Sequence, residues 1–270
     1  GLDVTNMYTY WMRKMTFIAN SGGVPNEMEQ LNAGYREERY AEDPNFTRFS
    51  SWNGGNPVGQ FEYLSGTPEL SKNFDDYDYT LENTMDAADQ RHDVTTRVVI
   101  SGTYTPNGFG SVATRNGGGI SFYYFKGNAI RVEAMRDMVN DRGQIPQELR
   151  DAGLEQAIEN VLAWNPNAFN SPTASFSEGG INFYYQGVCY YTVLIRHFSN
   201  NMVPVLMGYG RYGVVRNNVY QLSINKIIGP GQPVINPPGT DPDDEDTSWI
   251  SADVNIMRWY IRNQNVEELL

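Results

Sequence analysis

The sequence predicts a mainly β protein, and three observations predict it. Tyrosine is abundant (18 residues) beside 26 glycines and 14 prolines. Short β-branched and aromatic runs recur between turn residues. One run alternates cleanly: between Val219 and Ile227, Tyr220, Leu222 and Ile224 take turns with Gln221, Ser223 and Asn225, the pattern of a half-buried strand.

Taken in order, the first 95 residues are the least regular. Asn6 to Asn20 is apolar enough for core and suits helix or strand equally. From Ser21 to Asp93 the chain is polar, with scattered Gly, Asn, Pro and Asp. Long loops with short strands are expected there, and one helix around Pro25 to Tyr40.

From Thr95 the pattern sharpens. Thr96 to Thr105 reads as a strand ended by Pro106-Asn107-Gly108, and Ile120 to Phe125 as another after Gly117-Gly118-Gly119. Ile145 through Trp164 is the one convincing helix, because Leu154, Ile158, Val161 and Leu162 recur at helical spacing and Asn165-Pro166 stops it. Ile181 to Tyr185 and Val188 to Phe198, joined by Gln186-Gly187, read as a hairpin. Gly118-Gly119-Ile120-Ser121-Phe122-Tyr123-Tyr124 echoes Gly179-Gly180-Ile181-Asn182-Phe183-Tyr184-Tyr185. A single short echo reflects similar packing needs of two strands rather than a repeat architecture.

Bulk composition excludes several classes. A net charge of −12, from 20 basic against 32 acidic residues, is the wrong sign for nucleic acid or anionic lipid. The apolar runs, such as Val203 to Met207, are far too short to span a membrane. One cysteine, Cys189, allows no intrachain disulfide, and with His92 and His197 it supplies no structural zinc set. Cys189 shares a strand face with Tyr191, Val193 and Ile195, which predicts a small buried hydrophobe.

Each chemical motif meets a competing structural reading. Gly208-Tyr209-Gly210-Arg211-Tyr212-Gly213 has dinucleotide-fingerprint spacing, but that chemistry needs a helix after the glycines, and β alternation follows instead. Asp241 to Asp246 suggests a calcium loop, yet an EF-hand needs glycine at position six and glutamate at twelve. Here those positions hold Asp246 and Ala252. A charged spacer is the better reading. No nucleophile motif accompanies the two histidines, and His197 beside Arg196 reads as a packing or hydrogen-bonding residue. Tyr123, Tyr124, Tyr184, Tyr185 and Tyr190 could stack on sugars, although strand tyrosines more often form cross-strand pairs. No catalytic residue, metal or cofactor is assigned.

The chain's last part is its most informative. Pro233 to Ser248 is an acidic, proline-bearing stretch too polar to build core. It is followed by Trp249-Ile250-Ser251-Ala252-Asp253-Val254-Asn255-Ile256, in which Ile250, Ala252, Val254 and Ile256 share one face. Trp259 and Ile261 add a second cluster, and the change of parity predicts a bulge or bend near Met257-Arg258. A strand beyond a spacer must find a sheet in its own domain or in a neighbour's.

Three segments carry a family resemblance: Tyr190-Tyr191-Thr192-Val193-Leu194-Ile195-Arg196-His197, Arg211-Tyr212-Gly213-Val214-Val215-Arg216-Asn217-Asn218 with the alternating strand to Ile227, and Gly229 to Pro233. They resemble the C-terminal region of the Bacteroidales fimbrillins, the type V pilus subunits, most of all the stalk pilins of short (minor) fimbriae of Porphyromonas gingivalis and its relatives. The likeness covers Ile181 onward well, Thr95 to Asn128 loosely and the first ninety-odd residues hardly at all.

The resemblance implies a transthyretin-like β-sandwich with one inserted helix, a C-terminal linker and a strand. It implies a non-enzymatic, extracellular subunit on the outer membrane surface, polymerising by donor-strand exchange and supporting adhesion and biofilm formation. Partners would be copies of the same pilin, accessory fimbrial subunits and host or bacterial receptors. Ile250, Ala252, Val254, Ile256, Trp259 and Ile261 would anchor the donated strand. Residues 1–94 would be an irregular region, 95–232 the sandwich, 233–248 the linker and 249–270 the donor strand. The chain lacks a lipobox cysteine and a recognisable N-terminal pilin domain, so it reads as a C-terminal fragment or a chain numbered from an internal residue. A secreted carbohydrate-binding module or glycan-processing protein is the alternative.

Overall fold

The computed structural model describes residues 1–7, 61–70, 76–85, 89–110, 119–197 and 211–243, with the backbone of 250–258. Among these, antiparallel strands dominate. In chain order they are β1 (Leu2–Asp3), β2 (Thr5–Asn6), β3 (Phe61–Glu62), β4 (Arg97–Thr103), β5 (Phe122–Phe125) and β6 (Asn128–Arg131). Helices α1 (Val132–Asn140), α2 (Gln147–Asp151) and α3 (Leu154–Trp164) follow. Then come β7 (Phe176–Glu178), β8 (Ile181–Tyr184), β9 (Val188–Leu194), β10 (Asn218–Ile227) and β11 (Ile250–Arg258). The helix expected near Pro25 lies outside the described residues.

Two sheets form the sandwich. One has the order β1-β4-β9, the other β6-β5-β8-β7, and β10 pairs with β11 as a separate ribbon. Hairpin chemistry shapes the second sheet. β5 and β6 are joined by Lys126-Gly127, and β7 and β8 by Gly179-Gly180, with all four turn residues at positive φ. Two-residue loops of this kind match the twist of the strands they join.

Alternation in the second sheet serves two cores at once. Tyr123, Phe125, Ile181 and Phe183 face the helices, where they meet Met135, Met138, Leu154, Ile158 and Val161. Phe122 and Tyr184 belong instead to a core with Cys189 and Tyr191 of the first sheet. The layers are thus helices, sheet, sheet. The two echoing segments lie side by side as paired strands, with Phe122 opposite Tyr184 and Tyr123 opposite Phe183. The Phe122 and Tyr184 rings stack at 4.7 Å, and such pairs add about 0.5–1.5 kcal/mol beyond area burial. Tyr123, Tyr184 and Tyr190 are buried packing residues, whereas Tyr124 and Tyr185 are only partly covered.

Three expectations need revision. The single helix is really part of a three-helix layer. Gly153, at φ 90°, breaks the Ile145–Trp164 run into α2 and α3. α1 precedes them, burying Met135 and Met138 one turn apart. Next, Gln186-Gly187 is not a hairpin turn. β8 has β5 on one edge and β7 on the other, so β9 cannot pair there; the chain crosses to the first sheet and joins β4. Finally, the spacer contributes to the core. Ile235 is buried beside Val99 and Tyr190, and it exchanges two backbone hydrogen bonds with Gly66.

Two tests follow from this packing. A Cβ on Gly231 would lie 2.1 Å from the Tyr190 carbonyl oxygen, next to the bridge between Tyr190 and Gln232. Gly231→Ala is therefore expected to cost about 1–3 kcal/mol, measured by urea unfolding. Cys189 is buried, and that burial pushes its thiol pKa up. Iodoacetamide should leave it unmodified in the native chain and label it once the chain is unfolded.

Candidate subunit-docking site

The Arg211–Asn218 segment is where distant parts of the chain are tied together. Val214 exchanges two backbone hydrogen bonds with Asn83, at 2.8 and 2.7 Å. Arg216 clamps the Glu82 carboxylate: its Nε donates to Oε2 at 2.6 Å, and its backbone N–H reaches Oε1 at 3.2 Å. The Glu82 side chain is 1% exposed. His197 is buried, with Nδ1 2.8 Å from the Tyr220 hydroxyl, and that hydroxyl accepts the Val215 N–H. It is a fold-building contact, as its place in the sequence suggested. Gly213 is followed by β10 rather than a helix, so the setting a pyrophosphate would need is missing after the glycines.

These ties shape an apolar groove of about 540 Å³. One wall is β4 with β1, through Leu2, Val98 and Ile100; the other is β10, through Tyr220, Leu222 and Ile224. Tyr77, Tyr79 and Leu81 stand at the rim, 63%, 75% and 38% exposed. The Tyr-Asp-Tyr-Thr-Leu alternation over 77–81 is the sequence signal for this rim, set inside an otherwise polar stretch.

The β4 edge beside the groove is open. Val99 exchanges backbone hydrogen bonds with Gly1, at 2.9 Å each way. By strand alternation the N–H and C=O groups of Ser101 and Thr103 point the same way. Both residues are exposed, and among the described residues no strand pairs with that edge beyond Val99. An unpaired edge next to apolar surface is a template for another strand.

The terminal strand also has a described position. β11 runs antiparallel to β10, with Tyr220 opposite Ile256, Leu222 opposite Val254, Ile224 opposite Ala252 and Ile227 opposite Ile250. The positions chosen from the sequence therefore register with the alternating apolar positions of β10. The irregularity in this ribbon falls at Asn225, between Ile224 and Lys226, whereas Met257 and Arg258 pair regularly with Val219 and Asn218. Trp259 and Ile261 lie outside the described residues.

The acidic stretch is anchored before it reaches β11. Asp243 is buried, its Oδ2 accepts the Thr95 hydroxyl at 2.5 Å, and its N–H donates to the Gln90 carbonyl. The His92 N–H donates to the Asp241 carbonyl. Nearby, burial raises the Asp93 pKa, against the opposing pull of Arg91. Among the described residues no group of three His, Cys, Asp or Glu is placed to hold a metal.

Residues 182–265 match the family described as "major fimbrial subunit protein type IV, fimbrillin, C-terminal". That match supports a fimbrillin, and with it a fimbrial subunit. It encloses β9, the Arg211–Asn218 tie, β10, the anchored acidic stretch and β11, which is the region that carried the resemblance. No curated protein matches the chain. No helix among the described residues is long and apolar enough to cross a membrane.

Proposed function

We propose that this chain is a surface fimbrial subunit that polymerises by donor-strand exchange, with β11 as the donated strand. The observation that carries the reading is the fimbrillin match over 182–265, which takes in both β10 and the terminal strand. In the free subunit β11 lies on β10 of its own chain. In the polymer it leaves that position and runs along the open β4 edge of the next subunit, filling the groove. Backbone hydrogen bonds supply affinity, and the alternate apolar side chains supply fit.

The tether supports this geometry. With Asp243 held at its hydrogen bonds, seven residue steps separate it from Ile250, a reach of at most about 25 Å when extended. That is shorter than a free spacer from Pro233 would give. It biases the strand toward a neighbour docked close to the groove.

The test is size-exclusion with light scattering on the protein, with and without residues 249–270. Long oligomers that disappear on deletion support the reading. Oligomers that survive the deletion, or a monomer in both cases, count against it. A deletion that unfolds the subunit assigns β11 to its own fold. Adhesion to host or bacterial surfaces belongs to this proposal as the role of the assembled fimbrium, tested by binding of wild-type and deleted forms to cells.

A further inference from the structure

A second cavity, on the face of the β6-β5-β8-β7 sheet turned away from the helices, has a different chemistry from the groove. It measures about 240 Å³ and is lined by Tyr124, Ser177, Asn182, Gln232 and Asn236, with Pro230, Pro233 and Val234 closing it. Its floor is a row of three side chains on neighbouring strands: Tyr124 pairs with Asn182, and Asn182 with Ser177. The Ser177 hydroxyl donates to the Asn182 side-chain carbonyl at 2.7 Å. That bond fixes the amide with its NH₂ group on the opposite end.

The opposite wall is held in place by the fold. Tyr184 donates from its hydroxyl to the Gly231 carbonyl at 2.6 Å. Gln232 exchanges backbone hydrogen bonds with Tyr190, at 2.8 Å each way, and Ile235 does the same with Gly66. A cavity between a sheet and a strapped-down segment is formed before any ligand arrives, so binding costs little ordering of the protein.

The lining carries no charged side chain. It offers three amides, the Ser177 hydroxyl and the half-covered Tyr124 ring beside the buried Tyr184, and Gln232 and Asn236 are exposed to solvent. Amides donate and accept at once, which suits vicinal hydroxyls, and an aromatic face suits the C–H face of a sugar. Pockets for drug-sized ligands run to about 300–1,000 Å³, so this one holds a single ring. We propose that it is a binding site for one neutral pyranose unit, with Asn182 and Asn236 contacting hydroxyls and Tyr124 stacking on the ring.

The inference does not depend on strand exchange and is tested apart from it. Saturation-transfer NMR on the full chain would use glucose, galactose, mannose and N-acetylglucosamine at millimolar concentration. Transfer to the ring protons of at least one of them is expected. Asn236→Ala, an exposed change that leaves the strands alone, and Asn182→Ala should each weaken that sugar by about tenfold, as the loss of a hydrogen bond to a buried partner does. No transfer from any of the four sugars would overturn the assignment. So would transfer that persists unchanged in Asn236→Ala with the parent melting temperature.

Discussion

A subunit carrying both Val254→Asp and Ile256→Asp is expected to fold and to remain monomeric where the parent chain forms long oligomers. Each of these residues, once buried in a neighbour's groove, contributes about 1.5–3 kcal/mol. Losing both removes about 3–6 kcal/mol, or about a hundredfold to ten-thousandfold in subunit affinity. Burying a carboxylate in the apolar groove adds a further penalty. The two cores of the sandwich lie between the sheets and under the helices, so the melting temperature should stay near the parent's. Light scattering reads the assembly and circular dichroism the fold. Oligomers that persist in the double variant would remove β11 from the donor role.

The acceptor side has its own counterpart. Ser101 lies on the open β4 edge with its N–H pointing away from β9. Proline is tolerated at an edge when the missing N–H faces solvent. Ser101→Pro is therefore expected to leave the monomer folded but unable to accept a strand while still donating one. Mixed with parent subunits, it should shorten the polymers in proportion to its share, as seen by light scattering.

The second large effect is on stability. Arg216→Ala leaves the Glu82 carboxylate, 1% exposed, without the guanidinium whose Nε and Nη2 both meet its Oε2, at 2.6 and 2.5 Å. Breaking a buried pair by removing one partner costs about 3–5 kcal/mol. Arg216 is itself 30% exposed, so water reaches one side, which places the loss at the lower end, about 3 kcal/mol. For a domain of this size that lowers the melting temperature by about 6–12 °C. Arg216→Lys keeps the charge but not the fork and should lose less. A variant that melts with the parent would show that the Val214–Asn83 bonds alone hold the segment.

Much of the sandwich was legible in the sequence because strands and helices announce themselves through local periodicity. The β10 alternation, the strand β4 ended by Pro106-Asn107-Gly108 and the apolar stripe of α3 all lie where their residue patterns place them. The apolar faces of the β5 and β8 echo were readable too, as two strands with the same packing needs. Less legible was α1, whose Met135 and Met138 stripe spans little more than a turn, too short to stand out against neighbouring loops.

Pairing was a different matter. The sequence by itself determined which residues alternate, which turns are possible, and that Ile250, Ala252, Val254 and Ile256 form one face of a strand. Only the tertiary structure decided that β9 leaves β8 to join β4, that Ile235 and Asp243 are pinned to the domain, and that β10 and the β4 edge enclose a groove. The physical reason is that periodicity is a property of neighbours along the chain. Which edge a strand takes depends on which edges are still free, and that is settled between residues more than a hundred positions apart, as with Asp243 and Thr95.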